Sequence, residues 1–133
     1  MESTEIKKIL ENCKTIAVVG CSSNPEKVAH RIPKYMQEHG YKIIPVNPNS
    51  ENILNEKSYK SLSEIKENVS IVDIFRPSDE CLNVVKEAIK IKPKVVWMQL
   101  GIINEEAKKL AEKNGIKVVM DKCIMAEHKR LIH

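Results

Sequence analysis

The residues best suited to holding a charged ligand fall in short clusters, each at the end of an apolar run. The first lies in TIAVVGCSSNPEK at 15–27, where the apolar residues 16–19 lead into Gly20, Cys21, Ser22, Ser23 and then Lys27. An apolar strand that ends at a glycine and opens into a polar, helix-initiating loop gathers unpaired backbone N–H groups at the positive end of a helix dipole. A phosphate placed there is stabilised. Gly20 brings the backbone close to a ligand without an intervening Cβ, the serines add hydroxyls, and Lys27 adds a mobile charge. Arg31, a little further on, is a further cation placed to meet a phosphate. The other clusters are Asn47-Pro48, Phe75-Arg76-Pro77 and Gln99-Leu100-Gly101. Arg76 can grip a phosphate in bidentate fashion, whereas Lys27 acts as a point charge. Phe75 and Pro77 offer an apolar shelf to a base.

The elements that must position these clusters follow from periodicity. Strands are expected at 16–19, 42–46, 71–75, 95–98 and 116–120, with helices at 3–13, 29–39, 61–68, 79–91, 105–114 and 123–131. Pro33 would be costly in a helix interior, so the second helix is expected to start late, near Ala29 to Arg31, with Pro33 in its first turn, leaving 20–28 as a long ordered loop. Pro45 inside the second strand signals a bulge or an unpaired edge. Ser78 and Asn104 are candidate caps, and Ser61 with Glu64 a capping box. Strands alternating with helices imply right-handed crossovers and a parallel sheet, hence a Rossmann-like α/β domain over 1–133 with five parallel strands in the order 3-2-1-4-5. In such a sheet all the clusters reach the carboxyl rim, where ligands bind.

Composition narrows the classes. The chain has 133 residues, 42% hydrophobic and 30% charged, enough for one core. Its apolar runs are strand-sized, so none spans a bilayer, and no secretory signal is expected. Four cysteines, Cys13, Cys21, Cys81 and Cys123, show no CxxC spacing and are expected to be reduced thiols in a cytoplasmic protein. A net charge of +4 with lysines alternating with glutamates, one Phe and one Trp, argues against nucleic acid. A dinucleotide oxidoreductase would carry G-x-G-x-x-G and an acid after the second strand; here stand GCSSNP and Asn47. A small NAD(P)- or nucleotide-dependent enzyme is therefore the alternative rather than the first reading. Glu127 and His128 are expected to be exposed or paired with each other, and Cys81 and Cys123 to be buried fillers. Cys21, at a helix N-terminus near a lysine, is expected to have a lowered pKa.

The blocks IAVVGCSSNPEK, YMQEHGYKIIPVNP, VDIFRPS, VVWMQLGI and VVMDKCIMAEH, in that order, strongly resemble the small stand-alone coenzyme A-binding proteins. These are similar to the N-terminal nucleotide-binding domain of the succinyl-CoA synthetase α subunit. The resemblance implies that 20–27 holds CoA phosphates, that Asn47-Pro48 and Phe75-Arg76-Pro77 flank the adenosine, and that 99–101 line the pantetheine path. The ligand expected is CoA or an acyl-CoA, in a protein that is not itself an enzyme. None of His30, His39, His128 or His133 lies in a glycine-rich loop comparable to the one that carries the synthetase's phosphorylated histidine. Cys21 and His30 depart from the family, which more often has a small inert residue and a small hydroxyl there; a mixed disulfide between Cys21 and CoA is one expectation. A role as an adaptor presenting CoA to a protein partner, and a homodimer, are also compatible with the chain.

Overall fold

The alternation of apolar stretches builds a three-layer α/β sandwich, seen in a computed structural model describing residues Met1–His133. After α1 (Ser3–Asn12) come β1 (Thr15–Val19), α2 (Val28–Glu38) and β2 (Lys42–Val46). A short antiparallel hairpin, β3 (Asn52–Ile53) and β4 (Glu56–Lys57), precedes β5 (Ile71–Ile74). The chain then runs through α3 (Cys81–Ile91), β6 (Val95–Met98), α4 (Glu105–Lys113), β7 (Lys117–Val119) and α5 (Ile124–Leu131). Five strands pair in parallel, in the order β2-β1-β5-β6-β7.

The parallel α/β architecture is the one expected, but the strand order is not. Counted along the five sheet strands it is 2-1-3-4-5, so the third strand sits beside the first rather than outside the second. Pro45 gives the physical reason. Its carbonyl accepts from Tyr59 N–H at 2.9 Å on the outer side of β2, so its ring nitrogen, which has no hydrogen to donate, faces outward too. A strand carrying proline in this way suits an edge. The crossover from β2 to β5 therefore passes β1, and the strand order reverses between β1 and β5, where an open α/β sheet forms its crevice.

Side chains alternate across the sheet. Ile16, Val18, Ile43, Ile71 and Trp97 pack with α1, α2 and α5 on one face; Ala17, Ile44, Val72, Val96 and Met98 pack with α3 and α4 on the other. Two expected helix starts differ. Residues 61–68 form only a single tight turn, Leu62–Glu64, with Glu64 Oε1 accepting from Lys60 N–H. Ser78 caps no helix: its Oγ accepts from Ile103 N–H at 2.9 Å, tying the β5 loop to the β6 loop. Asn104 does cap α4, accepting from Ala107 N–H at 2.9 Å.

Candidate functional site

The loop after β1 is shaped by one glycine and one proline. Gly20 has φ +87°, and a Cβ there would meet the Phe75 carbonyl oxygen at 2.7 Å and Arg76 Cδ at 2.9 Å. Only glycine lets the two switch-point loops touch. Pro33 lies inside α2, not in its first turn as expected. Lacking an N–H, it leaves the Ala29 carbonyl without its helical partner, and Ser22 N–H donates to that carbonyl at 3.0 Å. His30 Nδ1 meets the Ser22 carbonyl at 2.7 Å, so that nitrogen carries the proton. Both backbone groups of Ser22 are thus tied to the helix. Asn47 secures the other side, its side-chain amide donating to the Cys21 carbonyl at 2.9 Å. None of the N–H groups of Cys21, Ser23, Val28 or Ala29 donates to a backbone carbonyl. The start of α2 therefore keeps free donors at its positive end.

Above this loop opens a cleft of about 590 Å³. It collects Gly20, Cys21, Ser22, Lys27, Asn47, Pro48, Phe75 and Arg76, all of them sequence candidates. Beside it runs a second groove of about 580 Å³ whose walls are mostly apolar, including Ile32, Pro77, Gln99, Leu100, Ile102 and Met125. Ala29, Phe75 and Arg76 line both, so the two spaces meet at the tip of β5. Ser23, Arg31 and Gly101 line neither. The Arg31 guanidinium is turned back onto the Glu26 carbonyl, and Gly101 N–H donates to Asp121 Oδ1 at 2.7 Å.

Electrostatics divide the site. Lys27 and Arg76 face the first cleft, joined by Lys60, which the sequence reading passed over. Lys60 follows the β3–β4 hairpin, and only that turn returns the chain alongside β2, so no local pattern announces it. Arg76 forms a bidentate pair with Glu80, Nε and Nη2 each 3.0 Å from a carboxylate oxygen. Both partners are about half exposed, so the pair contributes only about 0–1 kcal/mol and a phosphate can compete for the guanidinium.

Cys21 corrects its sequence expectation. The thiol is fully buried, and desolvation, reinforced by nearby Asp73, pushes its pKa up to about 12. It is a neutral core group, unsuited to thiol–disulfide exchange at neutral pH. Cys81 is buried as expected, but Cys123 is only half-buried and lines the apolar groove. Val28, the first residue of α2, is 53% exposed at the groove's rim. Glu127 and His128 are both buried and not paired with each other. Glu127 accepts from Arg130 Nε at 2.7 Å, and His128 Nδ1 meets Tyr35 Oη at 2.8 Å. Burial holds the His128 pKa below its ordinary value.

One buried acid was missed. Asp73 in β5 is 2% exposed and accepts from Gln99 Nε2 at 2.7 Å. Burial raises its pKa to about 7, against the opposing pull of that hydrogen bond. With the folded value above the unfolded one, this carboxyl favours folding at acid pH, and the contribution is lost as pH rises through about 7.

A family model described as "CoA binding domain" matches residues 14–129. The uncharacterized protein YneT of Bacillus subtilis (strain 168) is 43% identical over 124 residues, 93% of this chain and 92% of that one. The α subunit of an ADP-forming acetate–CoA ligase I from Pyrococcus furiosus is 34% identical over 127 residues, 83% of this chain. The chain spans only 27% of that subunit's length. A hypothetical protein from Pyrococcus horikoshii OT3 has a solved structure that matches with a TM-score of 0.97 at 40% identity, covering 100% of this chain and 94% of that one.

Proposed function

This chain belongs to the CoA-binding domain family, and from that premise we propose that it binds coenzyme A or an acyl-CoA across both spaces at the carboxyl rim, without catalysing a reaction on it. The phosphates lie in the first cleft, over the 20–27 loop and the start of α2, with Lys27, Lys60 and Arg76 as counter-charges. Asn47, Pro48 and Phe75 flank the adenosine. The pantetheine arm crosses Phe75 and lies along Pro77 and Gln99.

The observation that carries this reading is the junction of a polar, cation-rimmed cleft with an apolar groove at Phe75 and Arg76. CoA has the same division, a polyanionic nucleotide joined to a long, weakly polar arm. An NAD(P) enzyme fits less well. The group at the tip of β2 is the Asn47 amide, engaged with Cys21 and with Asn49 N–H at 2.8 Å, where a ribose-binding carboxylate would be needed. The non-catalytic reading draws on Cys21, the one thiol lining the first cleft, being held neutral by burial. A reducing cytoplasm is the setting we assign, in keeping with four unpaired cysteines. No helix is long and apolar enough to cross a membrane.

Thermal unfolding with CoA, dephospho-CoA, acetyl-CoA, NAD, NADP, ATP and FMN in parallel tests the reading. CoA at about 100 times its dissociation constant should stabilise the protein by about 2.7 kcal/mol. Dephospho-CoA should be weaker than CoA if a cation reads the 3′-phosphate. An equal response to NAD and CoA would sink the assignment.

A further inference from the structure

A carboxyl group closed inside a parallel sheet is costly unless it is partnered. Asp73 sits in the central strand β5, in register with Val18 of β1 and Trp97 of β6. Its hydrogen-bonding partner is Gln99, at the tip of β6, whose Nε2 donates to Asp73 Oδ1 at 2.7 Å. Gln99 is itself only 4% exposed, yet it forms part of the wall of the apolar groove. Its Oε1 accepts from Ile124 N–H, at the start of α5, at 3.4 Å. A primary amide has two ends of nearly equal shape, and its neighbours decide which way it faces. Here an acceptor on one side and a donor on the other select a single orientation. Held this way, Nε2 keeps a second hydrogen and Oε1 a second lone pair. Arg76, the other strongly polar side chain of the groove, is engaged with Glu80. Apart from the weakly bonding Cys123 thiol, Gln99 is thus the groove's one neutral side chain able both to donate and to accept.

We propose that Asp73 is a positioning residue: it fixes the Gln99 amide so that the uncommitted N–H and lone pair meet a secondary amide of the ligand in the apolar groove. This rests on the CoA reading above, since the pantetheine arm carries two such amides, and it names the group that recognises them. Asp73 touches no ligand and acts through Gln99. A protonated Asp73 gains an O–H that competes for Oε1 while its carbonyl still accepts, so the amide is no longer held in a single orientation. Burial brings that protonation to about pH 7. The titratable group facing Asp73 from the β1 loop is the Cys21 thiol, kept neutral by burial. Gln99 from β6 is uncharged, and no charged side chain from the adjoining strands or α5 contributes to the shift.

The test is titration calorimetry with two probes: CoA, which spans both spaces, and adenosine 3′,5′-bisphosphate, which fills only the first. Wild type, D73N, Q99L and the double variant are compared between about pH 6 and about pH 8, a range centred on the Asp73 transition. Q99L should weaken CoA roughly tenfold, a loss of about 1.4 kcal/mol, and leave the bisphosphate unchanged. The double variant should be no weaker than Q99L alone, because Asp73 works through Gln99. Wild-type CoA affinity should fall on acidification more steeply than that of D73N. The two proteins are compared with the same ligand, so the phosphate and imidazole titrations common to both cancel. D73N, nearly isosteric, keeps the test open should Q99L fold poorly. Equal losses for both probes, additive losses in the double variant, or a pH dependence of CoA binding as steep in D73N as in wild type would each overturn the proposal. CoA bound normally by wild type and equally well by Q99L would remove the amide contact while leaving the ligand assignment intact. No CoA binding by wild type would remove the ligand assignment itself, and this inference with it.

Discussion

The two spaces that meet at the tip of β5 are built on opposite plans. The first cleft is held by backbone: Gly20 against the Phe75 carbonyl, Ser22 N–H on the Ala29 carbonyl, Asn47 on the Cys21 carbonyl. The groove beside it is held by side chains, apolar walls from α2, the β6 loop and α5 around one fixed amide. A polyanion needs donors that do not reorganise, and pinned main chain provides them. A flexible arm needs apolar contact and few polar anchors. Substitutions that act on backbone should therefore injure nucleotide binding first, and those acting on charge should only tune it.

The largest effect is expected from Gly20→Ala. The new methyl group would press on the Phe75 carbonyl and Arg76, at a φ that alanine rarely adopts. A loss of about 2–4 kcal/mol in urea unfolding, with CoA and adenosine bisphosphate binding both abolished, is the expected result. Retained binding of either probe would show that the two loops do not need their close approach.

Pro33→Ala should act more gently and on one space alone. Residue 33 regains an N–H, which competes with Ser22 for the Ala29 carbonyl. Hydrogen exchange at Ser22 should accelerate, and CoA and the bisphosphate should weaken by the same roughly three- to tenfold factor, while thermal stability holds or rises. A CoA-specific loss would shift the proline's role to the groove.

Glu80→Gln should give the smallest change, and of opposite sign. It releases Arg76 from its bidentate partner and removes a negative charge from the cleft wall. CoA affinity should rise roughly two- to threefold at low salt and converge with wild type as salt is raised. A decrease would mean that Glu80 holds Arg76 in its working position.

Much of the first cleft was legible in the sequence because parallel topology sends every strand's carboxyl end to one rim. Gly20, Asn47, Phe75 and Arg76 could be assembled there from element order alone. Strand order could not be read the same way. The third strand can add beside either neighbour, and the clue in Pro45 becomes decisive only once its carbonyl is seen bonded to Tyr59. The groove's far wall was hidden for a related reason: Cys123 and Met125 reach it through the docking of α5, a long-range contact without a local pattern. Asp73 read as one polar letter in an apolar strand. Its meaning depends on Gln99, far away along the chain and adjacent in the sheet.

The outward-facing proline of β2 also limits how copies of this chain could associate. Residues 58–60 already lie along that border, with Tyr59 donating to Pro45 and accepting from Asn47 N–H at 2.9 Å. At the opposite border β7 is three residues long and begins with a lysine. A neighbouring molecule seeking to continue the sheet meets a blocked ladder on one side and a short, charged one on the other. Self-assembly by strand addition is thereby disfavoured, and helices α1 to α5 are left as the surfaces on which a second copy could dock.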